Sequence, residues 1–301
     1  MTFAQKLDQA ARATELRLAE LIEELAGPDQ SSSRLSAAIR HALLGGGKRF
    51  RPFLVLESAA LFGIPQDAAL DTACALECIH CYSLAHDDLP AMDNDELRRG
   101  QPTVWRAFDE WSAILAGDAL LTLAFEILAR EATHPLASVR ATLVLELAKA
   151  SGAYGMVGGQ SLDLEAEKLT QSDEQTLQSI RRLQSMKTGA LIRFACAAGT
   201  ILAGTPIDDR QRLEHYGDAL GFAFQIADDL LDVEGTAEEL GKAVAKDADA
   251  GKATLVSLMG LEAAREKLVE LEREAQRLMD HYGERGAILA EAASFVVNRR
   301  S

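Results

Sequence analysis

The chain is 301 residues long, 48 % hydrophobic and only 5 % aromatic, with a formal charge of −15 at pH 7. That length allows one large domain or two ordinary ones, and an apolar fraction rich in Ala and Leu favours helices over sheets. The acidic balance argues against a nucleic-acid partner, which needs a basic footprint, but leaves room for local Lys and Arg clusters around a phosphorylated ligand.

Helical spacing recurs in chain order. Phe3, Leu7, Ala11, Thr14, Leu18, Leu21 and Leu25 step by three and four, and Gly27-Pro28 is expected to stop that helix. A second runs through Leu35, Ile39 and Leu43 until Gly45-Gly46-Gly47, and a third starts after Pro52 and ends near Gly63. A fourth leads from near Asp67 to an acidic run disrupted by Pro90. Beyond Pro102 a segment with Trp105 and Trp111 enters a long apolar helix, roughly 113–129, closed by His134-Pro135. The next spans Leu136 to about Gly152, and Gly155, Gly158 and Gly159 follow it as a break. Ser172-x-x-Gln175 resembles a capping box opening a helix that passes Lys187 with a kink at Gly189. After Thr205-Pro206 a helix reaches a second acidic run. A charged amphipathic helix over 257–282 and a short last one after Gly286 complete the chain.

No alternating strand, short-period repeat or long linker stands out, so the expectation is a single all-α domain over 1–301, a helical bundle holding its site in the core. Three of the four cysteines, Cys74, Cys78 and Cys81, lie on one apolar run. Together with Cys196 they read as buried small hydrophobes of a reducing cytoplasm. The N-terminus is charged and lacks the apolar centre of a secretory signal, and Glu57, Asp118 and Arg193 interrupt the greasiest stretches, so no membrane span is expected.

Two clusters carry the chemistry. Asp87-Asp88-Leu-Pro-Ala-Met-Asp93 and Asp228-Asp229-Leu-Leu-Asp232 each end an apolar helix. One isolated Asp pair is ordinarily a solvated helix end. Two such clusters, edged by His86 and Gln225, read instead as carboxylates gathered around a hard cation, which Mg²⁺ fits because it shares oxygen ligands with phosphate. Asp228 and Asp232 share a helical face, whereas Asp87 and Asp93 are six apart, so Pro90 must end the helix and fold Asp93 back. Basic residues supply the anion-binding half: Lys48 and Arg51 after the flexible Gly46-Gly47, Arg98-Arg99-Gly100 after the first aspartates, and Lys187-Thr188, Lys242, Lys246 and Lys252 around the second. His80 lies two turns before Asp87 and on its own would be a core or capping histidine.

In this order the motifs GGKRFRP (46–52), DDLPAMDNDELRRG (87–100), GGQSLDL (158–164), KTG (187–189) and FQIADDLLD (224–232) make the chain similar to the trans-type isoprenyl diphosphate synthases, closest to the bacterial farnesyl type. The resemblance runs from end to end. It implies an all-helical fold around a deep cavity, with Mg²⁺ (about three ions per site, Mn²⁺ as an alternative) bridging an allylic diphosphate to Asp87, Asp88, Asp93, Asp228, Asp229 and Asp232. It further implies that Arg98, Lys187, Lys242 and Lys252 hold that diphosphate, while Gly47, Lys48, Arg51, His80 and Arg99 hold isopentenyl diphosphate. Family enzymes are usually cytoplasmic homodimers with no stable membrane insertion.

Departure of the diphosphate would leave an allylic cation, which the double bond of isopentenyl diphosphate attacks; the proton is then lost to the leaving diphosphate. No side-chain base is expected, while Gln225, Thr188 and nearby carbonyls stabilise the cation and water is excluded. Tyr82, five residues before Asp87 and about 7.5 Å deeper along the helix, with Ser83 beside it, resembles the cavity floor of farnesyl-length enzymes; the alternative is an ordinary core aromatic. Geranyl and geranylgeranyl products stay open, as does a role for Arg299 and Arg300 over the second substrate. A class I terpene cyclase is the rival, but it would lack the second Asp cluster and the GGKRFRP cradle, and would be richer in aromatics.

Overall fold

The computed structural model describes residues 1–30, 34–168, 176–234 and 254–298. Its helices are α1 (Phe3–Gln30), α2 (Arg34–Leu43), α3 (Phe50–Leu61), α4 (Gln66–Asp87), α5 (Val104–Ala107), α6 (Glu110–Ala129), α7 (Ala137–Ser151), α8 (Met156–Lys168), α9 (Leu177–Gln184), α10 (Ala190–Ala203), α11 (Ile207–Glu234), α12 (Leu255–Met259), α13 (Leu261–Asp280) and α14 (Ala287–Val297). The only strands among the described residues are the two-residue β1 (Leu97–Arg98) and β2 (Gln101–Pro102), an antiparallel hairpin. The all-α expectation holds.

Several boundaries differ from the sequence reading, each for a local reason. Helix α1 runs past Gly27-Pro28, because a proline so near a C-terminus removes a hydrogen bond only from the last turns. Helix α3 begins at Phe50, with Pro52 inside its first turn, where a missing N–H costs nothing. Gly158 and Gly159 lie within α8 and do not break it. The tail is two helices, since Gly260 turns the chain at φ 82° between α12 and α13. The sequence-read capping box at Ser172 and Gln175 falls outside the described residues; a Thr176–Ser179 box opens α9.

The chain divides into two compact units, 1–145 with 198–204, and 146–197 with 205–301. In the first, α4 is the central helix. It packs on α3 and α6 and is buried along most of its length, with Cys74, Cys78, Ile79 and Cys81 in the core. Burial pushes the Cys81 thiol up to about 12 and those of Cys74 and Cys78 well above their ordinary value, which keeps them protonated core residues. In the second unit α11 packs on α13, α14 and a π-helical turn, Ser185–Gly189. Tyr216 of α11 is fully buried and donates its hydroxyl to the Leu289 carbonyl of α14 (2.6 Å).

Glu110–Ala129 and the continuous helical stretch Leu177–Ala203 are long and apolar enough to cross a bilayer by length and composition alone. The charges that interrupt them, Asp118 and Arg193 included, are too sparse to prevent this, with no more than two in the most apolar 18-residue window of each. Half of the first stretch is buried inside the fold, as a core helix would be.

Candidate active site

Helix α4 ends at Asp87, and the chain then folds back on itself. The Asp93 amide donates to the Asp87 carbonyl (2.8 Å), Asn94 to Leu89 (3.0 Å) and Asp95 to Asp88 (3.1 Å), with Asn94 in the left-handed region at φ 52°. Proline at 90 removes the donor that would continue the helix, and these bonds satisfy carbonyls at its end. Asp87 and Asp93 are thereby neighbours despite their helix-breaking separation. Asp88 turns inward instead. It is 2 % exposed and receives a fork from Arg98, with Nε at 2.9 Å and Nη2 at 2.6 Å from Oδ1. Burial raises the Asp88 carboxyl above the ordinary aspartate range even though Arg98 opposes that shift.

The β1–β2 hairpin aims the next two arginines. Its two-residue turn, Arg99-Gly100, has positive φ at both positions (52° and 75°), the signature of the tight primed turns that match strand twist. Arg98 on the strand reaches Asp88, while Arg99 at the tip donates to the Gly46 carbonyl. Gly47 must be glycine here: its φ is 127°, and a Cβ would lie 2.8 Å from the Arg99 guanidinium carbon. From α3, Arg51 Nη1 stands 3.4 Å from His80 Nε2 on α4. Burial pushes the His80 imidazole well below the ordinary histidine range, and Arg51, Arg99, Arg98 and Arg49 push the same way. One face of the first unit thus gathers Gly47, Arg51, His80 and Arg99 around the exposed Lys48.

Tyr82 is buried at 6 % exposure, one turn before His86, whose ring meets it edge-on at 5.8 Å. Burial first, and then the Asp87 charge, push the phenol up to about 12. His86 Nε2 sits 2.9 Å from the Ile114 carbonyl of α6, over Gly117, where a Cβ would lie 2.1 Å from that nitrogen. Ser83 caps locally, donating to the His80 carbonyl (2.9 Å).

In the second unit Lys187 and Thr188 lie on the π turn, a geometry that recurs at functional sites because it carries one extra residue per turn. Two glycine contacts hold it. A Cβ on Gly159 of α8 would stand 2.2 Å from the Lys187 nitrogen, and one on Gly221 of α11 would stand 3.0 Å from Gly189 Cα. The α11 face that starts at Gly221 continues one turn on at Gln225 and then Asp228, Asp229 and Asp232. Asp229 accepts from the Leu255 amide at the start of α12 (2.8 Å). Lys242, Lys246 and Lys252 lie in the stretch 235–253, outside the described residues. Arg299 and Arg300 also lie outside the described residues.

Two residues of the GGQSLDL run to which the sequence reading gave no role stand out. Asp163 accepts from Lys187 Nζ at 2.6 Å. Gln160, three residues earlier on α8, is 8 % exposed, and among the described residues neither end of its amide meets a hydrogen-bond partner. A buried amide left so is costly unless a ligand completes it. The i, i+3 spacing of Gln160 and Asp163 on one helix face was the available signal. Among the described residues no three His, Cys, Asp or Glu side chains already form a closed metal cage. The carboxylate-only donor set suits a hard cation that keeps part of its shell for phosphate or water.

The chain belongs to the polyprenyl synthetase family, which residues 32–293 match. It is 41 % identical over 302 residues to the farnesyl diphosphate synthase of Geobacillus stearothermophilus, covering 99 % of this chain and 98 % of that one. It is 42 % identical over 264 residues to the geranylgeranyl diphosphate synthase of Cyanophora paradoxa, covering 88 % and 87 %. Among solved structures it superposes on an FPP/GFPP synthase from Zymomonas mobilis with a TM-score of 0.89 at 45 % identity, over 98 % of this chain and 99 % of that one.

Proposed function

We propose that this chain is a prenyltransferase that condenses isopentenyl diphosphate with dimethylallyl and then geranyl diphosphate to give (E,E)-farnesyl diphosphate. Both compact units act as one polyprenyl synthase domain, a reading supported by a single family match that spans them. The observation that carries the reaction class lies in the first unit. A cluster of cations (Lys48, Arg51, Arg99) with His80 occupies one place, and the carboxylates Asp87 and Asp93 another, about 10 Å further along α4 at helical rise. One site grips an anion directly and the other grips it through a cation, which suits two diphosphates side by side and has no use in a cyclase with one.

Magnesium, when bound to Asp87, Asp88, Asp93, Asp228, Asp229 and Asp232, would neutralise charge on the departing diphosphate. Arg98, Lys187, Lys242 and Lys252 add positive charge to the same oxygens. Gly47, Lys48, Arg51, His80 and Arg99 orient isopentenyl diphosphate so that its double bond meets the allylic carbon. Thr188 on the π turn and Gln225 on α11 stabilise the allylic cation by their dipoles. Gln160 receives a hydrogen bond or gives one once substrate is seated. The proton leaves with the diphosphate. Tyr82, backed by His86 on Gly117, with Ser83 beside it, is the floor that limits the product to fifteen carbons. The enzyme works in the cytoplasm as a homodimer through the outer face of α6, where Trp111, Ile114 and Leu115 are exposed on an otherwise apolar helix.

The test is product analysis after incubation with dimethylallyl and isopentenyl diphosphates. Farnesyl diphosphate is expected with Mg²⁺, abolished by a chelator and restored by Mg²⁺ or Mn²⁺. No elongation under any of these conditions would refute the reading, and products of twenty or twenty-five carbons would refute its chain length.

A further inference from the structure

One arginine of the Lys48-Arg49-Phe50-Arg51 run points the opposite way from its neighbours. Arg49 sits at the N-cap of α3 with φ 47° and ψ 41°, a left-handed conformation rare outside glycine. That twist sends its side chain into the core, where it has no exposed surface, while Lys48 stays outside. Its Nη1 meets Glu77 Oε1 of α4 at 2.7 Å, and Glu77 is itself 2 % exposed. Its Nη2 donates to the Leu43 carbonyl at the end of α2, also at 2.7 Å. Cys81 Sγ lies 3.8 Å from Nη1, and Glu15 of α1 lies 3.5 Å from Nε.

These contacts share a purpose. Leu43 and Arg49 are the two ends of the loop that carries Gly46, Gly47 and Lys48. A single guanidinium joins both ends and fixes them to α4 one turn from His80. On the outside the same loop is met by Arg99. We propose that the buried Arg49–Glu77 pair is a positioning device that sets the Gly46-Gly47-Lys48 backbone at the height of His80, and so fixes the site for isopentenyl diphosphate without touching it. The inference rests on the reading of that cradle as the isopentenyl diphosphate site.

The purified full-length enzyme with Mg²⁺ tests it through Arg49→Lys, Glu77→Gln, the double variant Arg49→Met/Glu77→Met, and Lys48→Ala as a probe of the cradle. A lysine cannot span Leu43 and Glu77 with a rigid fork, and a neutral amide cannot hold the guanidinium as firmly. Each single variant is expected to raise KM for isopentenyl diphosphate about tenfold while KM for geranyl diphosphate and kcat stay within about twofold. In the double variant no buried charge is left unpaired, so Tm is expected to recover toward wild type. KM for isopentenyl diphosphate is expected to stay raised, because the loop remains untethered. A double variant with recovered Tm and wild-type KM overturns the proposal, as does an equal rise of both KM values in the single variants. If Lys48→Ala leaves KM for isopentenyl diphosphate unchanged, the cradle is not that site, and the positioning claim falls with it. If Lys48→Ala raises that KM and neither pair variant does, only the positioning claim falls.

Discussion

Replacing Gly159 with alanine probes the π turn without touching a charged or polar side chain. An added Cβ would stand 2.2 Å from the Lys187 nitrogen and 2.6 Å from its Cα. Ordinary contact is about 3.5 Å, so helix α8 and the turn must separate by roughly 1.3 Å. Both sides of the clash are backbone, and no rotamer change relieves it. Two effects oppose each other in stability. Alanine gains about 1 kcal/mol over glycine in a helix interior, whereas overpacking costs about 1–3 kcal/mol. The net sign is destabilising, and Tm should fall by a few degrees, since each kcal/mol is worth about 2–4 °C in a chain of this size. The larger effect falls on chemistry. Lys187 and Thr188 move with the turn, and a displacement near 1 Å of positioning groups costs about 10²-fold in rate. Steady-state kinetics with geranyl and isopentenyl diphosphates should therefore show kcat down about a hundredfold, with KM for isopentenyl diphosphate unchanged because its cradle lies on other helices. Gly221→Ala, whose Cβ would meet Gly189 Cα at the milder 3.0 Å, should give a smaller loss of the same kind. A Gly159→Ala enzyme with a lowered Tm but nearly wild-type kcat would show that the turn is architecture and no part of the reacting site.

Product length reads out Tyr82: Tyr82→Ala should shift the main product beyond fifteen carbons in radiolabelled chain-length analysis, and an unchanged farnesyl product would remove that ring from the floor. The pH dependence of stability reads out His80. Its imidazole is held below its ordinary value of 6.5, so on acidification through that value the unfolded chain takes up a proton that the folded one refuses. Stability is fully present above that pH and is lost as pH falls toward the depressed folded value, at up to about 1.4 kcal/mol per pH unit. Denaturant midpoints of His80→Gln should lack this acid-side slope, and an identical slope in the variant would place the titrating group elsewhere.

The parts of the site that could be read from the sequence were those fixed by near neighbours. Pro90 alone forces the end of α4, and the six-residue separation of Asp87 and Asp93 then requires a fold-back, which the Asp93–Asp87 backbone bond supplies. Fourfold spacing likewise places Asp228 and Asp232 on one face of α11. What remained hidden was which of several equivalent residues takes which place. Lys48, Arg49 and Arg51 are three cations in four positions, and no local pattern says that the middle one turns inward. The cause is Glu77, twenty-eight positions away in α4, and the left-handed twist that reaches it. Asp87 and Asp88 look interchangeable until Arg98, carried by a hairpin too short to show an alternating pattern, forks onto the buried Asp88. Gly158-Gly159 looked like a break because glycine disfavours helices. In the fold they are helical, and Gly159 is small because another backbone lies where its side chain would be. The sequence reading placed a kink at Gly189, and the structure has a π turn there; the extra residue of that turn is accommodated by contacts from α8 and α11, which no window along the chain contains. A residue's chemistry is thus local information, but its orientation is decided by partners remote in sequence. The same separation explains why Gln160 was read only as part of a motif: its significance is that it is buried and nothing among the described residues answers its amide.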